Sequence, residues 1–224
     1  MVQHPAVWFQ LSNDVSLILN FGLEQSQRYY SVAHTGWFGL FHKHINSGSP
    51  LSCYRDVIMK TMRSLFAQKS WANNELFNLL ATIDPVKHAD AVHAATRMLQ
   101  HIYVVDRMLR AHLLAEMHGY TSTNTEATPA LGELQFLVAE TYAWYQSCAC
   151  TATEARLGES IIFRFTDGDA GMMTREEMLF HVITHGAYHR GNVGQMLKLI
   201  SVASPRDLYT KFLHVTEPVR KRAS

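Results

Sequence analysis

Beyond about residue 53, apolar positions return at the three- and four-residue intervals of an amphipathic helix. From Tyr54 to about Ile83 the recurring set is Ile58, Met62, Leu65, Ala72, Leu76, Leu79 and Ile83. Asp84-Pro85 ends it, because proline has no N–H to donate and pushes its predecessor out of the helical region. A second stretch, about Ala91–Met117, carries Ala94, Met98, Val105, Met108 and Leu109 on its apolar stripe, with Arg97, Asp106, Arg107 and Arg110 off it. The polar run from Gly119 to Pro129 reads as a loop. A third helix, about Ala130–Cys150, turns Leu134, Leu137, Val138 and Tyr145 inward. Then the period changes. Ser160–Thr166 is β-branched and aromatic, Asp167-Gly168-Asp169 is a turn, and Ala170–Met173 returns as a short strand. Thr174 and Glu177 form a capping box that opens a fourth long helix, about Thr174–Ile200. Ser204-Pro205 predicts the start of a short final helix reaching about His214. Four long amphipathic helices with short or moderate connections predict an all-α four-helix bundle, with a small β-hairpin before the last long helix.

Residues before about Leu51 break this pattern. They hold Trp8, Phe9, Phe21, Tyr29, Tyr30, Trp37, Phe38 and Phe41 with little periodicity, and Asn46-Ser47-Gly48-Ser49-Pro50 is a linker signal. Residues 1–53 read as a peripheral or partly disordered extension, or as an over-extended start with Met59 or Met62 as initiator, which an intact mass would decide. The bundle is expected over 54–217 and a basic tail over 218–224.

Composition narrows the class. The 224 residues are 47% hydrophobic and 17% charged, enough for one domain with a sizeable core. A formal charge of +1 lacks the footprint of a nucleic-acid binder. Three cysteines give no disulfide framework and fit a reducing cytoplasm, and the Cys148-x-Cys150 pair has no second pair to complete a zinc site. No run approaches the roughly 20 apolar residues of a membrane span. No Lys or Arg precedes Arg28, as a secretory leader would require. The expectation is a cytoplasmic protein acting on a small molecule, away from membranes and nucleic acids.

The chemistry is concentrated in the fourth helix. His181, His185 and His189 recur every four residues and so share one face. His181 and His189 are separated by about 12 Å along the axis, too far for one ion. The usable pair is His181/His185 or His185/His189. Bundle sites draw further ligands from facing helices, and His101, interrupting the apolar stripe of the second helix, is the best third candidate. His112 shares that face with weaker support and is left as structural. Three imidazoles leave a coordination position open, as catalytic zinc sites do, and suit zinc, nickel, copper or iron. Gly186, Gly191 and Gly194 in the same helix imply a close approach or a kink.

Four stretches resemble the DinB/YfiT-like family of small bacterial metal-binding bundles. They are W-A-N-N-E-L-F-N-L-L from Trp71, H-I-Y-V-V-D-R from His101, F-T-D-G-D-A-G-M-M-T-R-E-E-M-L-F-H-V from Phe165, and T-H-G-A-Y-H-R-G-N-V-G-Q from Thr184. The last is the most specific. The resemblance implies metal ligands at His101, His185 and His189. It moves His181 to a supporting or packing role beside Tyr188 and Arg190, with Tyr188 expected to pack and Arg190 to form a structural ion pair. Asn192 stands where many members carry Gln. The family includes S-transferases and isomerases that use low-molecular-weight thiols, as well as damage-inducible members without assigned activity. The resemblance therefore implies a zinc- or nickel-dependent thiol S-transferase, and favours a homodimer. The alternatives are a non-enzymatic metal-binding stress protein and a metal-dependent hydrolase.

Overall fold

The computed structural model describes residues 50–220, with side chains from residue 57 onward. The expected 1–53 extension and the end of the basic tail lie outside the described residues, apart from the first residues of the first helix. The long helices are α1 (Pro50–Leu80), α2 (Ala89–Leu114), α3 (Leu131–Thr151) and α5 (Arg175–Leu199). Between α3 and α5 come a single turn, α4 (Glu154–Leu157), and two antiparallel strands, β1 (Ser160–Arg164) and β2 (Ala170–Thr174). A short α6 (Tyr209–Thr216) and a 3-10 turn at Pro218–Arg220 follow. This is the all-α bundle with a hairpin that the periodicity predicts. Among the described residues no helix is long and apolar enough to cross a membrane.

α1 packs chiefly on α3, and α2 on α5, with α1–α5 and α2–α3 contacts closing the bundle. The core runs along its axis through Met62, Phe66, Leu99, Leu134, Tyr145, Met178 and Leu197. Phe66 stacks on Tyr145 with ring centroids 5.3 Å apart. Each apolar side chain removed from water in this way contributes about 1.5–3 kcal/mol. The hairpin pairs Phe163 with Gly171, where a Cβ would fall 2.7 Å from the Phe163 ring, so glycine is what lets that ring lie flat. The capping box at Thr174 and Glu177 opens α5, and Arg175 ties the start of that helix to the last turn of α2 through the Leu113 carbonyl, at 2.5 Å.

Two expectations need correction. The buried face of α2 is Ala95, Leu99, Ile102, Asp106, Leu109 and Leu113, rotated from the anticipated stripe, so Ala94 is exposed and Met98 and Val105 are only half-buried. Asp106, expected off the stripe, is fully buried. A helix in contact with two neighbours buries a broad arc, and a carboxylate can sit inside that arc when a cation meets it there. Ser204-Pro205 does not open the last helix either. Residues 202–208 form no regular element, and α6 starts at Tyr209 with Leu208 as its cap.

Candidate metal centre

α2 and α5 face one another, and their contact brings three histidines together. His101, His185 and His189 each offer a ring nitrogen, and these atoms all lie within 4.8 Å of one another. His181 is outside that cluster. Its ring stacks on His185 at 5.3 Å while the residue stays exposed to solvent. His112 lies elsewhere, against His118 and Phe163.

The hydrogen bonds fix what each ring can offer. His101 Nδ1 lies 3.0 Å from the Thr123 carbonyl, which only accepts, so Nδ1 carries the hydrogen and Nε2 keeps its lone pair. That Nε2 stands 3.2 Å from Nε2 of His185. Two nitrogens on a tetrahedral ion, each about 2.0 Å from it, stand about 3.3 Å apart. The two rings therefore share a hydrogen at the spacing at which they would share an ion. His185 Nδ1 is buried without a hydrogen-bond partner, so nothing at that nitrogen fixes the tautomer of the ring. His189 Nδ1 is 3.4 Å from the side-chain Nδ2 of Asn192, so in this arrangement Nδ1 accepts.

Electrostatics favour neutral rings. Desolvation, reinforced by the neighbouring imidazoles, holds His185 down at about 2 and His189 at about 4, and burial also lowers His101. A metal needs unprotonated imidazole, so this cluster is prepared to bind a cation and not a proton. The donor set fits a divalent metal with three nitrogen ligands.

The family model for the DinB family matches residues 59–222. The chain belongs to the DinB family. Protein DinB of Bacillus subtilis (strain 168) is 23% identical over 166 residues, covering 68% of this chain and 94% of that protein. DinB-family membership and the three-histidine cluster together fit metal binding.

Beneath the cluster lies a buried polar layer. Lys69 of α1 donates to both carboxylate oxygens of Asp106, at 3.1 and 2.9 Å, and to the Val182 carbonyl of α5. Tyr142 of α3 donates to Asp106 at 2.6 Å. One ion pair thus touches all four long helices. Burial lowers the Lys69 amine to about 8 and raises the Asp106 carboxyl, because loss of water outweighs the attraction between them. A Cβ at Gly186 would fall 2.7 Å from Lys69 Nζ, so glycine between the two α5 histidines is what admits the lysine head. Gly194 instead makes room for Ser204, and α5 runs unbroken through all three glycines.

Arg190, 2% exposed, pairs with Asp207 at 2.7 Å and donates to Asn73 at 3.2 Å, pinning the 202–208 segment onto α5. Tyr188 does not pack inside. It is 66% exposed, with its ring edge-on to His189 at 5.0 Å. Among the described residues, a cavity of about 260 Å³ lies beside Trp71 and Arg190, and another of about 510 Å³ beside Ala94 and Met196. Neither is lined by a cluster histidine.

The sequence assigns no site role to Lys69, Asp106, Thr123 or Asn192, although Asp106 and Asn192 are noted there for other reasons. Lys69 could have been found, since it lies seven residues from both Met62 and Leu76 and so in phase with the buried stripe. Asn192 is three residues beyond His189 and hence its neighbour on the helix surface. Thr123 belongs to a loop whose path no periodicity reports.

Proposed function

We propose that this DinB-family protein is a metal-dependent enzyme, a thiol S-transferase built on His101, His185 and His189, with zinc or nickel as the ion. His101, His185 and His189 would hold such an ion as neutral imidazoles, and the ion would supply charge that favours the thiolate form of a low-molecular-weight thiol. One observation supports this reading over hydrolysis: among the described residues the cluster is made of histidines alone, with no carboxylate in it. Hydrolysis at a metal centre ordinarily uses a nearby acid as general base, as the glutamate of H-E-x-x-H does, whereas a thiol ionises without one.

The chain's own residues supply orientation and shelter. The Thr123 carbonyl holds the His101 ring with Nε2 toward the cluster. The loop carrying it is fastened to α2 by Gln100, which donates to Thr125 and to the Ala127 carbonyl, and by Arg97, which donates to the Thr125 carbonyl. Exposed Tyr188 offers an aromatic rim at His189. The 510 Å³ cavity beside Ala94 and Met196 offers room for the apolar part of an electrophile. Each of those residues is seven positions from a cluster histidine, about 10 Å along its helix on the same face.

The test begins with protein purified without a histidine tag. Wild type is expected to carry near-stoichiometric metal and to turn over in a thiol-plus-electrophile screen. His185→Ala should lose metal affinity by roughly 100-fold or more, and turnover with it. Wild type without metal would overturn the centre. Full metal with no turnover across thiols and esters would favour a non-enzymatic metal-binding protein.

A further inference from the structure

The three cluster histidines are not oriented alike. His101 is held by a backbone carbonyl, which can only accept, so the fold itself dictates its ligating tautomer. His185 has no partner at Nδ1. His189 is held by a side-chain amide, from Asn192, whose Nδ2 faces Nδ1 at 3.4 Å, and an amide can face a ring in two ways. With the NH₂ group toward the ring, Nδ1 must accept, the hydrogen sits on Nε2, and that nitrogen cannot bind a cation. With Oδ1 toward the ring, Nδ1–H donates and Nε2 presents its lone pair to His101 and His185. The two orientations have the same shape and differ by one rotation about the terminal side-chain bond.

We infer that Asn192 is a positioning residue for the metal centre, and that it selects the ligating tautomer of His189 by turning its amide to present Oδ1 to Nδ1 when a cation is held. This rests on the metal centre proposed above. Among the described residues Asn192 is the one hydrogen-bonding partner of the His189 ring. It reaches that ring from one turn along the same helix, so its reach does not depend on any loop. It is half-buried, which limits competition from water without making the position essential to the core.

Chemistry at position 192 then has a defined order. Asp can only accept there, so Asn192→Asp enforces the ligating tautomer and makes the imidazole a stronger donor to the metal. Leu matches the size of Asn and offers no acceptor, so Asn192→Leu leaves the tautomer unselected. The experiment titrates zinc chloride into metal-stripped protein against a chromophoric chelator at constant pH. Asn192→Leu should bind zinc about 10- to 100-fold more weakly than wild type, and Asn192→Asp should bind at least as tightly. Ring ¹⁵N spectra of zinc-loaded wild type should place the His189 hydrogen on Nδ1, and metal-stripped Asn192→Leu should show both tautomers. Thermal unfolding of the metal-stripped proteins checks that both variants fold. A wild type that binds zinc, with Asn192→Leu indistinguishable from it or Asn192→Asp as weak as Asn192→Leu, overturns this inference alone. A wild type that binds no zinc overturns the centre and this inference together.

Discussion

At the scale of single residues, the cluster histidines trade protonation for coordination. In an unfolded chain these imidazoles titrate near 6.5. In the fold His189 is held at about 4 and His185 at about 2, desolvation being the largest cause. Below pH 6.5 the unfolded chain therefore binds more protons than the folded one, and stability falls as the pH drops toward 4. Above 6.5 both states are neutral at these positions and the contribution is level. The same shifts predict that proton competition for the metal begins only near the folded values. Zinc affinity should change little between pH 8 and 6, read by chelator competition at each pH. A loss approaching tenfold per unit between 7 and 6 would mean the rings titrate like exposed histidines.

At the scale of elements, the metal helix is set in place from below. Lys69 reaches from α1 to the Val182 carbonyl of α5 and to Asp106 of α2, with Tyr142 of α3 completing the layer. Both charges are fully buried, so removing one leaves the other without compensation. Lys69→Met should destabilise the fold by about 3–5 kcal/mol, measured by urea unfolding of metal-stripped protein. Replacing the whole layer with apolar side chains of matching volume would cost far less, because no charge would remain stranded. The energetic role of Gly186 follows from the same contact. Its lack of a side chain is a packing requirement of a neighbouring helix.

At the scale of the whole molecule, metal binding and folding are linked through two separate elements. His101 comes from α2 and His185 and His189 from α5, so an ion held by all three ties together a pair of helices that unfolding would separate. Zinc at 100 times its Kd should add about 2.7 kcal/mol of stability. For a domain of this size that is roughly 5–10 °C in Tm by differential scanning calorimetry. His185→Ala should show no such shift at the same zinc concentration.

Hydrophobic periodicity, the Asp84-Pro85 break and the Thr174 capping box were enough to determine four long helices and a hairpin, because these features depend on neighbours a few residues apart. The i, i+4 spacing also restricted the ions that His181, His185 and His189 could share, since helical rise is a local quantity. Spacing could not choose between the two pairs, and it misplaced Asp106. Those outcomes depend on how α2 and α5 are rotated about their axes, and that rotation is set by packing across the bundle. The contact between His101 and His185, the Thr123 carbonyl behind His101 and the lysine beneath Gly186 join residues 22 to 117 positions apart. Only the tertiary structure brings such groups within hydrogen-bonding distance, because no local rule constrains where a distant helix face or a loop carbonyl will fall.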